Sequence, residues 1–140
     1  MTESLRSTTA GWGVVPIRVA IGLVFAMHGG QKLFISGVGV TSAAMMHMGI
    51  PLSWLAGPVA IIVEFLGGLA ILFGLYARWP ALLMVIEMAV VILVVKLHGG
   101  FFSPSGIEFE LTLLAGALTI AALGTGPWSL DAMFRRGPSA

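Results

Sequence analysis

Seven ionisable side chains, Arg18, His28, Lys32, Glu64, Glu87, Lys96 and His98, lie in or at the edges of four long apolar runs. A charge at membrane depth costs roughly 2.5–3.5 kcal/mol on insertion scales, so such groups turn into a bundle, pair there and mark sites of proton, ion or ligand chemistry. The residue types suit acid–base work. Histidine and glutamate carry protons, while lysine and arginine stabilise negative charge on a bound group. His28 and Lys32 are four residues apart and share one helix face. Glu87 and His98, eleven apart, return to within about 20° of each other, whereas Lys96 points the other way and can snorkel outward. Arg18 lies about 40° from Lys32 but ~21 Å along the axis. An unpaired guanidinium inside a membrane is costly, so Arg18 is expected to pair with a carboxylate, Glu87 or Glu64, from the second or third run.

These groups must be positioned by membrane helices. The chain has 140 residues, 58% hydrophobic and only 9% charged, with a mean hydropathy of +1.03. Soluble domains carry about a quarter charged residues. The runs are continuous rather than alternating, and four strands cannot close a barrel. The expected fold is therefore an all-α membrane protein, one four-helix transmembrane bundle over residues 1–140. Its spans are about 12–34, 54–76, 79–98 and 108–124, each near the ~20 residues a bilayer requires. Residues 127–140 form a tail. Pro16, Pro58 and Pro80 fall in the first turns of their spans, where a missing N–H costs little, and Ser53 can cap the second. Trp12, Trp54, Trp79 and Trp128 mark span ends as an interfacial belt. Thr41–Met48 is expected to form a short helix on the outer surface between spans one and two, stopped by Gly49 and Pro51. Arg6, Arg78, Arg135 and Arg136 outnumber Lys32 and Lys96 on the other side, which places both termini in the cytoplasm. A cleaved leader over residues 1–30 is the less favoured reading, because apolar character continues to Phe34.

Within this frame His28, Lys32, Glu64, His98 and Glu108 are expected to converge on one polar cavity at the outer mouth, with Glu110 nearby. Gly57, Glu64 and Gly68 share nearly one face, which sets the glutamate in a tight helix contact or at a pocket edge. The competing structural reading is that the charges only lock helices together. No spacing of the His-Glu-x-x-His kind supports a metal, and none is expected. The absence of cysteine removes intrinsic thiol and iron–sulfur chemistry, and a net charge of +1 gives no pull toward nucleic acid. A faint echo relates the two halves. Span one ends in His28-Gly29-Gly30 with Lys32 after it, and span three ends in Lys96-Leu97-His98-Gly99-Gly100; Glu64-Phe65 and Glu108-Phe109 open the matching motifs of spans two and four.

Taken in order, several elements resemble the DoxX family of bacterial membrane proteins. They are Arg18-x-x-x-Gly22-Leu23-Val24-Phe25-x-x-His28-Gly29-x-x-Lys32-Leu33, Glu64-x-x-Gly67-Gly68, Gly74-Leu75-x-x-Arg78, His98-Gly99-Gly100-Phe101-Phe102, Gly106-x-Glu108-Phe109 and Gly124-x-Gly126-Pro127-x-Ser129-Leu130-Asp131. The resemblance implies a four-helix bundle in the bacterial cytoplasmic (inner) membrane. It also implies a link to redox chemistry, through members associated with quinone-reducing thiosulfate oxidation. On that footing the chain is expected to be a membrane component of a quinone-linked oxidoreductase or redox-stress system. It would have no cofactor of its own, so the electron carrier would be a bound quinone or the cofactor of a redox partner subunit. The expected contacts are lipid, such a partner, or further copies of the chain. The alternative is a non-catalytic scaffold or small-solute carrier.

Overall fold

The computed structural model describes the backbone of residues 2–135 and the side chains of residues 11–134. The side chains of Arg6 and Arg135, and all of Arg136 and the end of the tail, lie outside the described residues. The elements are α1 (Thr2–Gln31), a π-helical continuation (Lys32–Ser36), α2 (Val38–His47), α3 (Ser53–Phe73), α4 (Arg78–Val90), a second π-helical continuation (Val91–Lys96), α5 (Glu108–Leu123) and α6 (Leu130–Arg135). No strand occurs among the described residues. Three stretches, Gly11–Ser36, Ser53–Phe73 and Arg78–Lys96, are long and apolar enough to cross a membrane. Helix α5, with 16 residues, is about 24 Å long and falls short of a ~30 Å hydrocarbon core. It nevertheless packs in the same bundle, chiefly against α4 and also against α1.

Successive long helices run in opposite directions, so the start of α1 and the end of α5 share one end of the bundle, the terminal face. The 36–53 and 97–107 connections share the other, the far face. α1 begins well before Trp12, so Pro16 lies inside the helix rather than in its first turn. Ser53 is the first residue of α3, not its cap. That position is held by Leu52 at a left-handed φ of +51°, with no side-chain capping bond. The surface helix is α2, which packs on the start of α3. All four tryptophans are exposed; Trp54, Trp79 and Trp128 stand near element ends, whereas Trp12 lies within α1 and meets Trp128 edge to face at 5.0 Å.

The main contact is α1 against α3. It is close because glycines face backbone: a Cβ on Gly22 would sit 2.6 Å from the Leu72 nitrogen, and one on Gly68 would strike the Ala26 backbone. Small residues let membrane helices approach where no hydrophobic force drives them together. The dry core fills the terminal half of the bundle. Phe25, Ile71, Ala77, Ala81, Met84, Ala117 and Ile120 are all 2% exposed or less. Outward-facing positions carry large apolar side chains, Leu23, Ile62, Leu66, Leu83, Ile86 and Leu93 among them. The far half of the bundle is different: it holds the buried acids Glu64 and Glu110.

Candidate functional site

Lys32 stands at the start of the first π-helical turn, and its Nζ meets Glu64 Oε1 of α3 at 2.5 Å. The glutamate side chain is 5% exposed and the lysine 29%. Glu64 is brought to the lysine by the tight α1–α3 contact, where a Cβ on Gly29 would strike the Glu64–Phe65 backbone. From α4 the Glu87 side chain reaches the same place, lining one cavity with Lys32 and Glu64. One lysine against two acids is balanced only when the acids hold one proton between them. The three groups together are then neutral, which is what a membrane interior demands. One oxygen of each acid, Glu64 Oε2 and Glu87 Oε2, is buried with no protein partner.

A second pair lies across the bundle. Lys96 ends the second π-helical turn and its Nζ meets Glu110 Oε1 of α5 at 2.7 Å. It also donates to the carbonyls of Pro104 at 3.1 Å and Gly106 at 3.4 Å. Lys96 therefore turns inward, not outward as a regular helix implied. The π-helical run accounts for this, because i→i+5 turns rotate the phase of all that follows. Glu110 again leaves one oxygen, Oε2, buried and unpartnered. Each hairpin of the bundle thus carries one lysine on its rising helix and one glutamate on its falling helix, which gives the faint sequence echo a structural counterpart.

Between the two pairs is a chamber of about 160 Å³, lined by Val24, Phe25, His28, Lys32, Glu64, Met88, Val91, Phe109, Glu110 and Leu113. Three of the five residues expected at one cavity, His28, Lys32 and Glu64, are here; His98 and Glu108 are not. Glu108 turns away to accept the Ser103 N–H at 2.8 Å, fixing the 97–107 loop. His98 is exposed in that loop. Glu110, two residues on, takes the place expected for Glu108. His28 is exposed at the edge of the chamber, its ring 6.1 Å from that of Phe109.

The pairing expected between Arg18 and a carboxylate, Glu87 or Glu64, does not form. Arg18 is 3% exposed, but its Nη1 donates to the Thr125 carbonyl at 2.5 Å and its Nη2 to the Trp128 carbonyl at 2.8 Å. Backbone acceptors beyond the end of α5 take two nitrogens of the guanidinium in place of a carboxylate, and Nε is buried without a protein partner. The segment returns across the end of α3, with Asp131 N donating to Gly74 O at 3.1 Å and its carboxylate accepting the Tyr76 N–H. Gly74, at φ +69°, has no room for a side chain, because a Cβ would lie 2.8 Å from Arg18 Nη1. Counting charges alone missed this socket; the pattern Gly124-x-Gly126-Pro127 downstream of a helix was its only sequence signal.

On the opposite side of Lys32, Glu64 and Glu87 lies a groove made of two adjoining cavities. One, about 320 Å³, is lined by Lys32, Thr41, Met45, Met48, Glu64 and Glu87 among others. The other, about 260 Å³ and almost wholly apolar, runs between α3 and α4 along Val59, Val63, Leu83, Ile86 and Val90. They share Met45, Ile50, Glu87 and Val91. An apolar cleft between helices therefore ends on a charged cluster roofed by α2.

The DoxX family model matches residues 13–97. The chain belongs to the DoxX family. It is 31% identical over 129 residues to "Uncharacterized membrane protein Rv3486" of Mycobacterium tuberculosis, covering 84% of this chain and 78% of that protein. It is 30% identical over 125 residues to "Putative oxidoreductase CatD" of Bacillus subtilis, covering 89% of each. It is 32% identical over 127 residues to "Inner membrane protein YqjF" of Escherichia coli, covering 89% of this chain and 93% of that protein. No solved structure matches the chain. The stretch matched to DoxX holds Arg18, His28, Lys32, Glu64, Glu87 and Lys96. α5, which closes the chamber with Glu110, lies beyond it. As a DoxX protein with three membrane-crossing stretches, the chain is membrane-embedded, and its outward apolar side chains meet lipid.

Proposed function

We propose that this DoxX protein is the membrane component of a quinone-linked oxidoreductase in the bacterial cytoplasmic membrane, with α5 as a fourth span and both termini in the cytoplasm. The observation that carries the reading is the apolar groove ending on Lys32, Glu64 and Glu87. A membrane quinone has an apolar tail and a flat head with two carbonyl acceptors. The tail suits the cleft between α3 and α4. The Lys32 ammonium can donate to a head carbonyl, and the Glu64–Glu87 pair holds a proton beside it. The chain has no cysteine, and its buried groups are acid–base groups, so electrons would come from a partner subunit's cofactor. The name of the Bacillus subtilis relative, an oxidoreductase, agrees with this reading, and that of the Escherichia coli relative agrees with the location. For the orientation, Lys32 and Lys96 are drawn into pairs in the far half. Arg78 is left exposed at the terminal face, the side a positive-inside bias puts in the cytoplasm.

The test is quinone retention. The protein, extracted in mild detergent from quinone-replete membranes, should carry quinone in native mass spectrometry. Glu87→Gln, or Val63→Trp to fill the cleft, should lose it while remaining monodisperse. A well-folded protein that neither retains quinone nor binds a short-chain analogue refutes the reading. That outcome favours the scaffold reading, whose own support is that each lysine–glutamate pair closes one helical hairpin.

A further inference from the structure

We propose that the chamber between the two lysine–glutamate pairs is a hydrated passage carrying protons between Glu64 and the solvent at the far face only. The use of such a passage for quinone chemistry rests on the reading above; its hydration and sidedness do not.

Four observations carry it. The first is orphaned acceptors. Glu64 and Glu110 both line the chamber, their side chains are 5% and 10% exposed, and each has one buried oxygen with no protein partner. Buried acceptors of this kind are normally satisfied by water. The second is size. A water takes about 30 Å³ of liquid volume, so about 160 Å³ is room for several. The third is continuity of titratable groups. Glu87 and Glu64 line one cavity together, Glu64 and Glu110 both line the chamber, and His28 stands exposed at its edge. Lys32 and Lys96 are the other charged groups against these acids, and each is fixed by its own pair. The fourth is the floor. Below Val24 and Phe25 the bundle closes on Ile21, Ile71, Met84, Ala117 and Ile120, all buried. The titratable group buried beyond that core is Arg18, whose guanidinium is held by the Thr125 and Trp128 carbonyls and does not give up its proton, so a proton reaching Glu64 has no route to the terminal face. The passage and the groove lie on opposite sides of Lys32–Glu64. Ligand would approach from the membrane, and protons from the far aqueous side.

The absence of cysteine makes the test direct. Val24→Cys places a thiol at the chamber floor, and Leu23→Cys places one at the same depth facing lipid, since Leu23 is 50% exposed on the outer surface. Leu113→Cys is a second chamber position if the first variant folds poorly. In proteoliposomes of known orientation without quinone, a membrane-impermeant thiosulfonate added at the far face should modify Val24→Cys or Leu113→Cys at least about tenfold faster than Leu23→Cys, because the reagent needs a hydrated thiolate. The same reagent added at the terminal face should be no faster on either. Equal rates at the chamber and lipid positions overturn hydration, and equal rates from both faces overturn sidedness. A second measurement tests proton transfer. After a pH jump on the far side alone, the infrared band of the buried carboxyls should change in the wild type and respond at least about tenfold more slowly in Glu110→Gln, whose amide can neither take up nor release the proton. A labelled chamber whose carboxyl band ignores the far-side pH overturns the proton passage. None of these results depends on quinone, so failure here and failure of quinone retention are separable.

Discussion

Replacing Lys32 with methionine keeps most of the side-chain volume and removes only the ammonium. The consequence is set by what remains. Glu64, 5% exposed, would keep one oxygen that already lacks a partner and lose the 2.5 Å contact of the other. Removing one member of a buried ion pair typically costs 3–5 kcal/mol, because the surviving charge is left uncompensated. Lys32 is 29% exposed, so part of its charge is already screened, and the low end, about 3 kcal/mol, is the appropriate figure. At ~1.4 kcal/mol per decade, the folded fraction relative to unfolded falls by about a hundredfold. Removing the acid as well should restore most of this. Lys32→Met with Glu64→Leu replaces the pair by apolar groups, which is commonly neutral or stabilising, and Glu87 is then free to stay protonated. The double variant should lie within about 1 kcal/mol of the parent. Stability can be followed by titrating mixed micelles with sodium dodecyl sulfate and reading tryptophan fluorescence, since Trp12 and Trp128 meet at 5.0 Å only when the bundle is closed. A cost below about 1 kcal/mol for Lys32→Met alone is what exposed pairs give. It would show that water screens the pair on all sides, and the argument from burial would fall.

Gly68→Val should destabilise by about 1–3 kcal/mol or more in the same titration, because its side chain meets Ala26 backbone that cannot yield, whereas Gly39→Ala, with open space around it, should lie within ~0.5 kcal/mol. Arg18→Met should cost about 1.5–3 kcal/mol through the two carbonyls it leaves unmet, and Arg18→Lys should recover only part, since an ammonium cannot reproduce the fork; thermal unfolding in detergent measures both. A reporter fused after Ala140 should be active only in its cytoplasmic form, and activity on the other side refutes the proposed orientation.

The helices were legible because lipid leaves few alternatives: apolar runs of membrane length, ended by glycine, proline and tryptophan, become helices whatever else the residues do. The proposed spans 54–76 and 108–124 match α3, Ser53–Phe73, and α5, Glu108–Leu123, to within a few residues. The charged site was legible only by depth. Glu64 and Lys32 could be placed together because the helix leading up to Lys32 is regular α1, the π-helical turn beginning only at that residue, and both lie near the same level. Lys96 could not, because nothing in Val91–Lys96 announces a π-helical run, and a regular helix turns that lysine the wrong way. Glu108 and Glu110 differ by two residues, and the choice between them depends on how the 97–107 loop is folded, which charge and hydropathy do not encode. Arg18 was assigned a carboxylate because only charged side chains were considered, while the acceptors it uses are main-chain atoms of Thr125 and Trp128.

The arrangement also bears on whether the charges are structural or functional. If they served only to lock helices, two lysine–glutamate pairs, one in each hairpin, would complete the task, and the halves would match. Glu87 breaks the match. It has no cation of its own, lies beside the acid of an existing pair, and leaves a buried oxygen without a partner. A lock gains nothing from it, since a buried acid without a partner costs free energy that leucine or methionine at that position would not. Its place is also specific: it lines both cavities of the groove and is absent from the chamber. On the functional reading, an acid at the end of a membrane-facing cleft exchanges a proton with whatever occupies the cleft. The lysine–glutamate pairs are therefore compatible with either reading, and Glu87 is the residue that separates them. Glu87→Leu should leave the bundle at least as stable as the parent by detergent titration, and should abolish ligand retention if the groove is a working site. Loss of stability together with unchanged retention would assign Glu87 to the fold and return the whole cluster to the structural reading.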